Sequence, residues 1–120
     1  MALVNQVQKR IVMPKWEIVK FQILTHCYTK RIVVSESDLN CLTLLSITGP
    51  MELTHFCYDA SSDEQLIFKS PQTVRNSINK AIKNMLVIKE NDDKKIIKLN
   101  PALMIQTEGD VLLDYKFLGR

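Results

Sequence analysis

The sequence predicts an α+β fold that is mostly helical and has a β-hairpin in its second half. Four stretches between residues 15 and 86 repeat apolar residues at spacings of three and four, which is typical of helices with one buried face. After residue 86, two short apolar runs flank a charged segment, as in two strands joined by a turn. We therefore expect helices to supply most of the core.

The helix predicted over residues 71–86 has the clearest beginning. The Ser70 hydroxyl can accept from first-turn amides, and Pro71 suits the first helical position because no donor is needed there. The residues predicted to face the core are Val74, Ile78, Ala81, Ile82 and Met85. The polar residues predicted to face away are Gln72, Asn76, Asn79, Lys80 and Lys83. From Lys69 to Lys89 there are five cations and no acid, so the segment suits a phosphate backbone.

The predicted hairpin follows this helix. Its first strand contains residues 86–88, its second contains residues 96–99, and the tip is the charged segment 89–95. Asn100 and Pro101 end the second strand, because proline cannot donate to a ladder of hydrogen bonds.

Two helices are predicted in the first half of the chain. Pro14 can start a helix over about residues 15–28, although Val19, Phe21 and Ile23 also alternate as in a strand. Its proposed buried face consists of Trp16, Val19, Ile23 and Cys27. Either Ser35 or Ser37 caps the second helix, which contains Leu39, Leu42 and Leu45 and ends at Gly49 and Pro50.

Shorter elements connect these helices. The β-branched run 32–34 is expected to be extended, and a short helix is predicted over residues 52–58, followed by a polar loop over residues 59–64. In the short helix, Leu53, Phe56 and Cys57 are expected to point inward.

The composition is that of one ordinary globular domain. The chain has 120 residues, of which 46% are apolar and 24% charged. We expect no membrane span, because no apolar run approaches about 18 residues, and we find no secretory signal. Cys27, Cys41 and Cys57 are odd in number and lack CxxC spacing, which favours reduced thiols in a cytoplasm.

Charge is strongly segregated along the chain. Residues 1–31 carry a formal charge of +5, residues 32–68 carry −6, and residues 69–100 carry +5. This alternation predicts a bipolar surface with basic areas for a polyanion, although charge runs are also often only solvated faces.

Catalytic and metal chemistry find little support in the residues. His26 precedes Cys27 directly and His55 lies two residues before Cys57, but this spacing does not supply the four compact ligands of a zinc site. The three glycines form no phosphate loop. We therefore predict a non-enzymatic protein without metal or cofactor.

The order of helices, short strand, basic helix and hairpin resembles the winged helix-turn-helix family over residues 15–100. We accordingly divide the chain into an N-terminal arm (1–14), a winged-helix domain (15–100) and a C-terminal strand-like extension (101–120). In that family the second helix of the turn motif lies in the DNA major groove, and the hairpin wing contacts the flanking phosphates or minor groove. The turn over residues 59–70 is longer and more acidic than the motif usually has.

The resemblance implies a DNA-binding protein of a bacterium or bacteriophage, either a transcriptional regulator or a replication accessory factor, located in the host cytoplasm. The residues expected to contact double-stranded DNA are Gln72, Thr73, Arg75, Asn76, Asn79, Lys80, Lys83, Lys94 and Lys95. Amide side chains suit adenine, arginine suits guanine, and lysines neutralise phosphates.

The alternative is a phage virion assembly protein that uses the same fold for subunit contacts. In that case the two terminal arms would be exchanged between subunits of a homo-oligomer. The apolar arm residues expected to contact the partner are Leu3, Val4, Val7, Ile11 and Val12.

Overall fold

In the part of the chain that the structure describes, four α-helices are combined with small antiparallel sheets. A computed structural model of the protein describes residues 2–4, 14–63, 68, 70–90, 95–108 and 115–117, and in the first and last of these ranges only the backbone. The elements of this part are β1 (Ala2–Val4), α1 (Lys15–Thr29), α2 (Glu36–Thr48), β2 (Met51–Glu52), α3 (Leu53–Ser62), α4 (Pro71–Lys83), β3 (Val87–Lys89), β4 (Ile96–Leu99), a 3-10 turn (Pro101–Leu103) and β5 (Tyr115–Phe117). The expected mostly helical α+β class is confirmed.

Local capping chemistry sets the beginnings of α2 and α4. Ser35, rather than Ser37, caps α2: its hydroxyl accepts from the Asp38 amide at 3.1 Å, and the Asp38 carboxylate accepts from the Ser35 amide at 3.2 Å. Ser70 caps α4 by accepting from the Thr73 amide at 3.3 Å, with Pro71 in the first turn. The reciprocal cap of α2 and the single cap of α4 thus give hydrogen-bond partners to backbone amides that have none within the first turn of a helix.

Two helix ends share a Schellman motif with a non-glycine residue in the left-handed conformation. After α1, Arg31 has φ 58° and the Ile32 amide donates to the Cys27 carbonyl at 2.8 Å. After α4, Met85 has φ 61° and the Leu86 amide donates to the Ala81 carbonyl at 2.9 Å. Each motif ends its helix and turns the chain back towards the core.

The Schellman motifs and a longer α3 correct three sequence-based expectations. Residues 32–34 form no strand, because the Ile32 amide closes the end of α1. Met85 does not belong to the buried stripe of α4, since the helix ends at Lys83 and leaves this side chain 65% exposed. The predicted loop 59–64 begins instead at Asp63, because Ala60 is buried and α3 continues to Ser62.

The hairpin forms with a third strand beside it. β4 is central in the order β2-β4-β3, and Ile97 pairs with Met51 on one side and with Lys89 on the other. Ile97 is fully buried, so the sheet packs against the helices through its central strand. The short strand expected at residues 32–34, before α2, is absent there, and β2 instead lies directly before α3.

One core unites all four helices and the sheet. Its fully or almost fully buried members include Val19, Ile23, Cys27, Leu39, Leu42, Leu45, Phe56, Cys57, Val74, Ile78, Leu86 and Ile97. The predicted inward positions on α1, α2 and α4 are confirmed, apart from Met85 and the partly buried Trp16 and Ile82. Leu53 in α3 is also only partly buried.

The segment after the hairpin is tied to the core at both of its ends. The Asn100 amide donates to the Leu86 carbonyl, and its side chain bridges the Met85 carbonyl and the Ala102 amide, each at 2.8 to 3.0 Å. Farther along, the Gln22 side chain on α1 pairs with the Gln106 backbone, donating at 2.7 Å and accepting at 2.8 Å. Leu103 and Ile105 consequently pack against the core.

The two arms meet in the same chain. β1 pairs antiparallel with β5, so that Ala2 lies opposite Phe117 and Val4 opposite Tyr115. Of the predicted partner-binding residues, Leu3 and Val4 lie in β1, whereas Val7, Ile11 and Val12 lie outside the described residues. Their contact with another subunit stays a prediction.

Candidate nucleic-acid interface

The outward face of α4 is a narrow polar stripe. Gln72, Asn76, Asn79 and Lys83 recur at spacings of four, three and four, and all four are exposed. This stripe lies opposite the buried residues Val74, Ile78 and Ala81. The structure thus brings together four of the nine residues expected to contact DNA; we call them the α4 stripe.

Two side chains of the α4 stripe are held in place by a hydrogen bond between them. The Gln72 Nε2 group donates to Asn76 Oδ1 at 2.9 Å. This bond leaves Gln72 Oε1 as an acceptor and Asn76 Nδ2 as a donor for an external group. An adenine edge in the major groove presents the matching donor and acceptor. The pair is therefore a preformed bidentate surface one helical turn long.

Thr73 and Arg75 lie beside the α4 stripe. Thr73 is exposed in the first turn, where its hydroxyl lies 3.2 Å from that of Ser70. Arg75 is half-buried and leans towards α3, donating from Nη2 to the Thr54 hydroxyl at 3.3 Å. Since a guanidinium has five N–H donors, this bond fixes the direction of Arg75 and leaves other donors unused.

Lys80 is exposed as expected but its ammonium is bound within the protein. Its Nζ atom lies 2.8 Å from Asp38 Oδ2, and the Ser77 hydroxyl donates to Asp38 Oδ1, also at 2.8 Å. The Asp38 side chain is only 13% exposed. Lys80 therefore compensates a half-buried carboxylate that joins α2 to α4, and much of its charge is not available to a phosphate. Sequence reasoning missed Asp38, whose only signal was its capping-box position.

The Asp38 network makes stability depend on pH. Burial by itself raises the pKa of Asp38, but hydrogen bonds from Lys80, Ser77 and the Ser35 amide outweigh it and hold the pKa below its ordinary value of 3.8. Because the folded-state pKa is the lower one, this stabilisation is complete above the unfolded-state pKa and is lost as pH falls through the folded value.

We expect Asp38→Asn to lower the melting temperature at neutral pH and to flatten its dependence on pH below about 4. Melts of both proteins over an acid pH series would measure this. Glu36→Gln, which removes an exposed carboxylate of the same helix turn together with its ion pair to Lys20, is the matched control for loss of a surface ion pair. Parallel melting curves for wild type and Asp38→Asn across the series would contradict the assigned role.

The hairpin supplies further cations near the end of α4. Lys89 and Lys95 are exposed, and the Lys95 carbonyl accepts from the Leu53 amide at 2.8 Å, which ties the tip side of the hairpin to the start of α3. Lys94 lies outside the described residues. Lys98 lies 3.4 Å from Glu90 and is partly compensated. Lys89, which the expected DNA-contacting set omitted, ends β3 and is detectable from the acid-free charge run 69–89.

The thiols and imidazoles provide no comparable site in the described residues. Burial raises the pKa of Cys27, Cys41 and Cys57, most strongly for Cys41, which keeps these thiols protonated. His55 pairs with Asp59 on the surface of α3, whereas His26 Nε2 is buried on α1 without a hydrogen-bond partner. No group of three or more potential metal ligands occurs in this part of the chain.

No protein-family model, curated protein or solved structure shows significant similarity to the chain. Among the described residues, no helix is long and apolar enough to cross a membrane. The α4 stripe and the hairpin beside it are therefore the features from which a function can be inferred.

Proposed function

We propose that the protein is a non-enzymatic winged-helix DNA-binding protein, a regulator or replication accessory factor, in which α4 lies in the major groove and the β3–β4 hairpin is the wing. The observation that carries the proposal is the α4 stripe: three amides and a lysine on an exposed helix face without an acid. A 13-residue helix is about 20 Å long, and the major groove is wide enough for an α-helix.

The connectivity supports this reading. Helices α2, α3 and α4 precede a hairpin whose inner strand also pairs with β2, an arrangement consistent with a winged-helix layout. The segment between α3 and α4 is shorter than the sequence suggested, since α3 extends to Ser62. β1 and β5 pair within one chain, so this strand pair gives no support to an exchange of the two strands between subunits.

The side chains of α4 and the hairpin would contact different parts of the DNA according to their chemistry. Gln72, Asn76 and Asn79 would read base edges, while Lys83 and the hairpin lysines would neutralise phosphates. Arg75, held towards α3, would reach a guanine or a phosphate at the edge of the helix. Lys80 would mainly position α4 against α2.

A duplex-binding titration over a range of salt concentrations tests the proposal. About three to five neutralised phosphates predict a slope of log K against log salt of about −2.7 to −4.5. Lys83→Glu is expected to weaken binding to all sequences and to reduce the slope by about one or more. Lys15→Glu, an exposed lysine at the start of α1, is the control and should behave as wild type.

Lys83 is preferable to Lys80 for this test because Lys80 is bound to Asp38, so its reversal would disturb the fold. A folded Lys83→Glu protein with the affinity and salt slope of wild type would reject α4 as the DNA-reading helix. Equal losses of DNA affinity for Lys83→Glu and Lys15→Glu would show that the interaction is only non-specific charge attraction.

A further inference from the structure

Lys80 lies beside the α4 stripe, at a position from which a lysine can reach a phosphate. It follows Asn76 by four residues and precedes Lys83 by three, so on the helix surface it adjoins both of these stripe members. Its side chain is 50% exposed. By position alone, Lys80 would belong with the residues that neutralise the DNA backbone.

The Lys80 ammonium is directed instead at Asp38, which has two further partners of its own. Asp38 Oδ2 accepts from the Ser35 amide at 3.2 Å and lies 2.8 Å from Lys80 Nζ. Asp38 Oδ1 accepts from the Ser77 hydroxyl at 2.8 Å. The carboxylate is therefore held by the cap of α2 and by a serine of α4 independently of the lysine. Lysine, with its flexible four-carbon stem, is the movable half of the pair.

The pair has no net charge, and this decides what Lys80 can contribute to DNA binding. A lysine that neutralises one phosphate releases counterions and adds about −0.9 to the slope of log K against log salt. A lysine that a carboxylate has already neutralised adds nothing. The Asp38 side chain is only 13% exposed, so salt screens this pair less than an ordinary surface ion pair. The charge of Lys80 is thus cancelled before DNA arrives.

We propose that Asp38 withholds Lys80 from the DNA backbone and thereby sets the affinity of the protein for duplex of any sequence. Asp38 takes the place of a phosphate beside the lysine, so it is a positioning residue that itself contacts no DNA. Because phosphate contacts carry no sequence information, its effect falls equally on selected and random sites. This role of Asp38 rests on the proposed function, in which α4 lies in the major groove.

Duplex-binding titrations of Asp38→Asn over a range of salt concentrations test this role. Asparagine keeps the shape of the side chain and releases the lysine, so we expect the affinity to rise about tenfold at low salt and the slope to become steeper by about 0.9. Adding Lys80→Gln should remove the whole gain. Each variant is titrated well below its melting temperature, with folding checked by circular dichroism.

Glu36→Gln is the matched control, because it removes the same charge from the same turn of α2 and frees only Lys20 on α1. It should change the affinity by less than about twofold and leave the salt slope as in the wild type. An Asp38→Asn protein with the wild-type slope, an equal gain for Glu36→Gln, or a gain that survives Lys80→Gln would each overturn the assigned role.

NMR of the lysine ammonium groups in the wild type provides a readout that needs no substitution of Asp38. On addition of duplex the Lys83 signal should shift, whereas the Lys80 signal should stay in place. Equal shifts of both signals would overturn the assigned role. Binding that depends on Lys83 but not on Asp38 would overturn this role alone, whereas a wild type that binds no duplex would overturn the proposed function with it.

Discussion

Ile78→Ala is expected to lower the free energy of unfolding by about 2–5 kcal/mol, because truncating a fully buried side chain leaves a cavity that its neighbours fill only partly. Ile78 lies on the inner face of α4 and belongs to the core shared by α2, α3 and the sheet. Its loss therefore affects the packing of several elements and not of one helix alone. Chemical denaturation followed by circular dichroism measures the change.

Leu42→Ala on α2 is expected to cost a similar amount, since that side chain is only 2% exposed. Val33→Ala is the control: Val33 is 82% exposed, so the change should remain within about 0.5 kcal/mol. A loss for Ile78→Ala no greater than for Val33→Ala would show that the assigned face of α4 is incorrect.

Replacing both Asn76 and Asn79 by alanine is expected to reduce discrimination between binding sites strongly while leaving general DNA affinity in place. Each bidentate contact to a base edge contributes about 1–3 kcal/mol of discrimination, so the pair accounts for one to four orders of magnitude. The slope against salt should stay at the wild-type value, because no phosphate contact is removed.

This outcome differs from that expected for Lys83→Glu, which should weaken binding to all DNA sequences by the same factor. Competition between a selected site and random duplex measures the ratio of the two affinities. Asn40→Ala on α2 is the matched control for loss of an amide side chain. Unchanged discrimination in the Asn76/Asn79 variant would place base recognition elsewhere in the molecule.

Helix beginnings could be predicted from the sequence better than the ends of α3 and α4. Ser35, Ser70 and Pro71 act on amides within a few residues, so the pattern is local and readable. The end of α4 uses methionine where glycine is the usual signal, and the end of α3 contains serines that favour turns. In these two cases burial of Ala60 and Leu86 decided the conformation over local preference.

The α4 stripe could likewise be predicted, because helical periodicity separates its polar and apolar faces. The ion pairs and hydrogen bonds of the charged residues beside it could not. Lys80 meets Asp38 across 42 residues, and Arg75 meets Thr54 across 21, so both contacts depend on how α4 packs against its neighbours. The pairing of β1 with β5 joins segments from opposite ends of the chain, for which no local pattern exists.

The three bonds of Asn100 have a consequence for motion. This residue holds the carbonyls of Met85 and Leu86, just beyond α4, and the first amide after Pro101. We therefore expect the end of α4 and the chain leaving the hairpin to open together, as one cooperative unit of local unfolding. A displacement of residues 101–108 is therefore expected to be transmitted to the C-terminal end of α4, where Lys83 lies.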